Sequence, residues 1–178
     1  MGITALVLLI VARFWLAFDV VEMLPVGFRL SAVGIGVALA LGISLASEAV
    51  YRLWPAYRAS ADTYLALVLK PLTWFDLIWL GLLPGLSEEL LFRGVMLPAI
   101  GLNSFGLLVS SLCFGVLHYS GSQQWAYVIW ATVVGAALGA SALLTGNLLV
   151  PIVAHILTNL ISSGTWKLKQ GRGLGVGG

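Results

Sequence analysis

The sequence predicts an all-α fold, a polytopic transmembrane helix bundle of about six spanning helices plus one interfacial helix. Composition is the first reason. Hydrophobic residues make up 60% of the 178 residues, charged residues only 9%, and mean hydropathy is +1.04, whereas a soluble domain carries about a quarter charged residues. Seven acidic and nine basic side chains cannot cover a water-facing surface, so most of the outer surface must face lipid. The second reason is recurrence. Apolar runs approaching the roughly 20 residues of a span return along the chain, separated by Pro, Gly and charge.

Taken in order, the first run covers residues 3–18 and stops at Asp19, Glu22, Pro25 and Gly27. No basic segment precedes it and Arg13 interrupts it, so it reads as a retained first span rather than a signal peptide. The second run, 30–46, carries Gly34, Gly36 and Gly42, small residues that let helices approach closely and mark an interior-packing helix. A more polar stretch, 47–71, holds Glu48, Arg52, Arg58, Asp62 and Lys70. With Tyr57, Tyr64, Leu65, Leu67 and Val68 it reads as an amphipathic helix lying at the interface. Residues 74–97 form the third run, interrupted by Pro84-Gly85; the remaining runs are 104–119, 125–144 and 148–166. Gly135 and Gly139 make a GxxxG packing device in the fifth. The lone Cys113 reads as a small packing residue with no disulfide partner. Residues 1–169 are expected to be a single transmembrane domain with a motif-bearing core at about 72–166, and 170–178 a flexible glycine-rich tail.

Basic residues orient the bundle. Arg52, Arg58 and Lys70 follow the second run; Lys167, Lys169 and Arg172 follow the sixth, on the same side after an even number of crossings. The positive-inside rule then places both termini in the cytoplasm of a multi-pass protein, in a bacterial plasma membrane or an organellar equivalent. Trp54, Trp74, Trp125 and Trp166 fall near that face as an aromatic belt. A net charge of +2, dispersed along the chain, offers no footprint for nucleic acid, and the expected partners are the lipid bilayer and a membrane-associated peptide or protein substrate.

Charged groups in a span cost at least a few kcal/mol each, so those present call for a reason. Glu89 and Arg93 stand four apart, acid first, the favourable order for a helical ion pair. Glu88 points about 100° away from Glu89 and is left free to face a cavity. Pro84-Gly85 should break or kink the helix, with Ser87 capping a new half-helix whose N-terminus favours ionised Glu88. The plainer alternative is a structural ion pair with one stray acid. Both histidines of the chain, His118 and His155, also fall within apolar runs, and Asn159 shares a helical face with His155. Counted from outer helix ends near residues 98, 103 and 147, the depths are roughly 15 Å for Glu88, 12 Å for His155, 18 Å for Asn159 and 22 Å for His118. These depths permit one shared cavity.

Such a set suits water activation and oxyanion stabilisation. Glu88 assisted by His118 would take a proton from water attacking a peptide carbonyl, and His155 with Asn159 would donate to the oxyanion. Alternatively, Glu88, His118 and His155 would hold one Zn²⁺ or other divalent metal with an open water position. The residues leave open whether there is a metal or none. The ordered set Glu88-Glu89-x-x-x-Arg93, Phe114-x-x-x-His118 and His155-x-x-x-Asn159 resembles the three motifs of the type II CAAX prenyl endopeptidase (Abi, bacteriocin-processing) family of intramembrane proteases. The resemblance implies an intramembrane endopeptidase, either glutamate-dependent or a metalloendopeptidase. It gives Glu88, His118, His155 and Asn159 catalytic roles, with Glu89, Arg93 and Phe114 supporting the geometry. No HExxH is present, Asp76 is the one aspartate well inside a span boundary, and neither Ser87 nor Ser120 has a nucleophile motif around it. Two non-protease readings compete: a small proton- or ion-coupled transporter using the same polar groups, and a non-catalytic membrane adaptor retaining the site.

Overall fold

Helix formation follows the apolar runs closely. The computed structural model describes residues 2–173, and within them seven helices and no strands. Helix α1 is Gly2–Phe18, α2 Leu30–Leu53 and α3 Pro55–Leu69. Helix α4 begins as Asp76–Glu89, passes through a π-helical segment Leu90–Met96, and ends with the turn Leu97–Ile100. Then come α5 Ser104–Leu117, a 3₁₀ turn Ser122–Gln124, α6 Trp125–Thr145 and α7 Leu149–Gly173. Helix α2, the segment Ser122–Thr145 and α7 are long and apolar enough to cross a membrane; α1 and α5 are shorter apolar helices.

Two ends of the bundle are defined by their loops. At one end Asn147 clasps Gly27, accepting from its N–H at 3.0 Å and donating to its carbonyl at 2.7 Å, while Leu148 N–H reaches Pro25 carbonyl. The loop after α1 also meets Pro98, Ala99 and Leu102 there. At the opposite end Ser60 of α3 donates to the Gln123 carbonyl, and Lys167 of α7 donates to the Leu72 carbonyl. Between these ends the core draws on Leu8, Ile43, Phe92, Phe114, Leu138 and Ala154, one from each helix except α3. Helix α3 has its own aromatic cluster with α6, built on Tyr57, Ala61 and Ala126. Outward, large apolar side chains stand exposed, such as Phe14, Leu45, Trp79, Phe105 and Val133. Water would penalise that surface and lipid does not.

Several expectations are revised. The polar stretch 47–71 is not one interfacial unit: its first turns extend α2 to Leu53. The break comes at extended Trp54, because Pro55 disfavours helical geometry in the residue before it. Pro84-Gly85 does not break α4, and Ser87 caps no new helix; its hydroxyl donates back to the Leu83 carbonyl. Packing is the reason. A Cβ at Gly81 would lie 2.8 Å from Leu160 Cγ, and one at Gly85 would overlap Ile156, so these two glycines form a close seam with α7 that keeps the helix continuous through Pro84. In α2 only Gly36 packs that way, against Val153 and the Val150 carbonyl, while Gly34 and Gly42 face open space. Cys113 is exposed on α5 rather than packed. Helix α7 continues to Gly173, past the expected start of the tail at residue 170, and residues 174–178 lie outside the described part.

Gly85→Val is therefore expected to lower bundle stability by about 1–3 kcal/mol, the usual cost of overpacking. Thermal unfolding in detergent measures it, with Gly34→Ala, at a position open to its surroundings, as the control.

Candidate active site

The irregular stretch of α4 builds the site. Over Leu90–Met96 the backbone adopts the wider π register, ending with Leu97 N–H bonded to the Phe92 carbonyl five residues back. Pro98 follows at once and has no N–H to continue the α register. Gly94 lets Met23 and Leu148 approach this segment. Such π segments recur at functional sites because they re-aim side chains.

Arg93 and Glu89, both fully buried, form the predicted ion pair at 2.8 Å. Arg93 also donates to the Gly135 carbonyl of α6 at 2.7 Å, and its guanidinium lies 4.3 Å from the centre of the Phe114 ring. A Cβ at Gly135 would meet the Phe114 ring at 2.9 Å, so only glycine lets that carbonyl come so close. The same Glu89 oxygen accepts from Nδ1–H of His155 at 2.7 Å. The buried carboxylate is thus compensated by one guanidinium and oriented by one imidazole. That hydrogen bond fixes the His155 tautomer and leaves its Nε2 free.

Glu88 differs in having no cation within hydrogen-bonding distance, although Glu89 too keeps its Oε2 buried without a partner among the described residues. The Glu88 Oε2 is buried without a hydrogen-bond partner among the described residues and lies 4.0 Å from Nε2 of His118. His118 occupies the C-cap of α5, just past its last helical residue, with φ −87° and ψ 4°. Its Nδ1–H donates to the Phe114 carbonyl at 2.9 Å, which turns the Nε2 lone pair toward Glu88. The 4.0 Å gap is too long for a direct bond and suits a water touching both groups.

Phe114 joins the two halves. Its ring centre is 4.9 Å from that of His118 and 5.6 Å from that of His155, so one phenyl ring separates both imidazoles while covering Arg93. Asn159 sits one turn beyond His155 on α7, half-buried and without a side-chain hydrogen bond among the described residues. The structure thus brings Glu89, Arg93, Phe114 and His155 into direct contact, and Glu88 into contact with His118; Asn159 is associated through helical register alone.

Glu88, His118 and His155 do not converge as a three-donor set for a metal ion, nor does any other His, Cys, Asp and Glu group among the described residues. His155 turns one nitrogen to Glu89 instead. Three contributors escape a reading of the sequence. The Gly135 carbonyl is hidden because backbone groups leave no mark beyond the GxxxG already assigned to packing. Tyr64 and Tyr127, whose ring centres each lie 6.1 Å from that of His118, come from α3 and α6. Burial, and secondarily the charge of Glu88, push the Tyr64 phenol up to about 12, so it stays neutral.

Sequence comparisons identify the family. The family described as type II CAAX prenyl endopeptidase Rce1-like matches residues 70–161, just over half of the chain, a range within which Glu88, His118, His155 and Asn159 fall. An uncharacterised protein of Bacillus subtilis (strain 168), YpbD, is 32% identical over 126 residues, 71% of this chain. The matched part spans 64% of that relative's length. No solved structure gives a significant match. The chain, a membrane protein, belongs to the Rce1-like family of type II CAAX prenyl endopeptidases.

Proposed function

We propose that the protein is an intramembrane endopeptidase that hydrolyses a peptide bond in a membrane-associated peptide or protein. The observation that carries the reading is the unpartnered Glu88 carboxylate facing a lone-pair nitrogen of His118 at 4.0 Å, beside a second carboxylate already compensated by Arg93. Glu89 also keeps one oxygen unpartnered among the described residues, so what sets Glu88 apart is the water-sized gap to His118 in place of a cation.

In this reading six helices span the membrane, both termini are cytoplasmic, and α3 lies at the cytoplasmic face. Helix α5 has 14 residues, a rise of about 21 Å against a hydrocarbon core of about 30 Å. Its C-terminal end, with His118, therefore stops short of the interface. Non-helical backbone at such depth is tolerated where it lines a cavity.

Water held between Glu88 and His118 attacks the scissile carbonyl as Glu88 takes its proton. The carbonyl π-electrons move to oxygen, and the oxyanion is held by Nε2–H of His155 and the Asn159 amide. Donation from Nε2 while Nδ1–H stays on Glu89 requires a doubly protonated ring, whose charge the developing oxyanion balances, since Glu89 is already offset by Arg93. Collapse breaks the C–N bond, and Glu88 returns its proton to the leaving amine. Each step uses side chains only.

Purified protein with a peptide library in detergent tests this. Cleavage is expected from the native chain, is lost in both Glu88→Ala and His155→Ala, and survives chelator treatment. Ion flux through liposomes without cleavage would establish a transporter instead. Partner binding that persists in both variants, again without cleavage, would establish an adaptor.

A further inference from the structure

His118 is weakly anchored by its own backbone. It caps α5, the chain beyond it turns through Gly121 at φ +155°, and its side chain has a single hydrogen bond, to the Phe114 carbonyl. The Glu88 contact at 4.0 Å is too long to hold the ring. Something else must confine an imidazole whose side chain remains 15% exposed.

The confinement is aromatic and comes from two other helices. Tyr64 of α3 stacks on Tyr127 of α6 with ring centres 4.3 Å apart and planes 22° from parallel. Both rings lie 6.1 Å from His118, at 47° and 51°, so the three rings form a closed triangle. Phe114 is tilted against His118 at 4.9 Å. The wall is itself braced: Tyr127 lies parallel to Tyr57 at 6.2 Å, and Tyr57 meets Trp130 at 5.9 Å and Trp54 at 6.2 Å. Trp130 in turn donates to Ser47 of α2 at 3.0 Å. The described side chains offer the Tyr64 hydroxyl no hydrogen bond, so its contribution here comes from the ring.

We propose that Tyr64 is a positioning residue of the active site, its ring confining the His118 imidazole in the orientation that faces Glu88. The inference rests on the protease reading for its kinetic consequence, but its structural core does not. It gives α3 a role beyond lying at the membrane surface: docking of this helix on α6 sets the geometry of the water-activating pair.

The test uses the full chain in detergent with Tyr64→Phe and Tyr64→Leu. Phe keeps the ring and is expected to cleave peptide within about 3-fold of the native rate. Leu is expected to lower kcat by at least about 10-fold with KM little changed, as befits a displaced reacting group rather than weakened substrate binding. Equal loss in both variants would shift the role to the hydroxyl and overturn the proposal, as would full activity in Tyr64→Leu. Ring confinement is read separately by imidazole NMR. The chain has only two histidines, so in a His155→Gln background every imidazole signal belongs to His118. Tyr64→Leu should shift that signal and give it the averaged appearance of a mobile ring, whereas Tyr64→Phe should leave it in place. An unchanged signal in Tyr64→Leu sinks the proposal. Failure of the protease reading shows instead as an inactive native chain, and the NMR arm still decides the role of Tyr64.

Discussion

Glu88→Gln is expected to abolish cleavage while leaving the fold as stable as before, or slightly more so. The substitution keeps shape and volume and removes the one group able to accept the proton of water at this place. General-base contributions are typically of the order of 10²–10⁴-fold, and a loss in that range is expected in kcat. The stability half is the sharper diagnostic. Glu88 Oε2 is buried with no partner among the described residues, and a buried acceptor without a hydrogen bond costs about 1–3 kcal/mol. A neutral amide in the same space carries a smaller desolvation cost, so unfolding temperature should hold or rise as activity disappears. Glu89→Gln should behave oppositely on stability, because it strips the charge from an acceptor that Arg93 and His155 both use. Parallel melting curves and turnover assays of the two variants read the contrast. If Glu88→Gln turned over peptide at the native rate, the assignment of the base would be wrong; if it melted far below the native chain, Glu88 would be a structural group.

How much of this is legible in the sequence depends on the kind of force involved. The helices are, because their signal is a run of apolar side chains and their stops are Pro, Gly and charge. The Glu89–Arg93 pair is legible because i,i+4 neighbours meet on any helix. The continuity of α4 is not. Pro84-Gly85 reads as punctuation locally, and only the seam of Gly81 and Gly85 against Leu160 and Ile156, between segments more than 70 residues apart, shows why the helix persists. The π segment is likewise invisible, since its cause lies in packing around Gly94 and in Pro98 rather than in a periodicity. His155 reads as an oxyanion donor, yet in the fold it also braces Glu89, across 66 residues that no spacing announces. Tyr64 reads only as part of an amphipathic face, because stacking between α3 and α6 depends on how the two helices dock.

Arg93 is where the largest loss of stability is expected. Arg93→Met keeps an unbranched apolar stem but removes the guanidinium, leaving the Glu89 carboxylate fully buried with His155 as its remaining partner. It also takes the guanidinium hydrogen bond from the Gly135 carbonyl and the cation from the Phe114 ring. Breaking one side of a buried ion pair costs about 3–5 kcal/mol, most of it the desolvation of the charge left behind. The partner substitution separates the causes. If the unpaired charge dominates, Glu89→Gln placed on top of Arg93→Met should recover a large part of the lost stability, since a neutral amide tolerates burial where a carboxylate does not. The double-mutant cycle in detergent would then give a coupling energy on the order of 1–3 kcal/mol. Activity should not return with stability, because His155 loses the carboxylate that fixes its ring whichever way the charge is removed. A stable, folded and inactive double variant is thus the expected end point. Destabilisation by Arg93→Met of less than about 1 kcal/mol would place the pair among exposed ion pairs of little worth, contrary to the complete burial of both side chains.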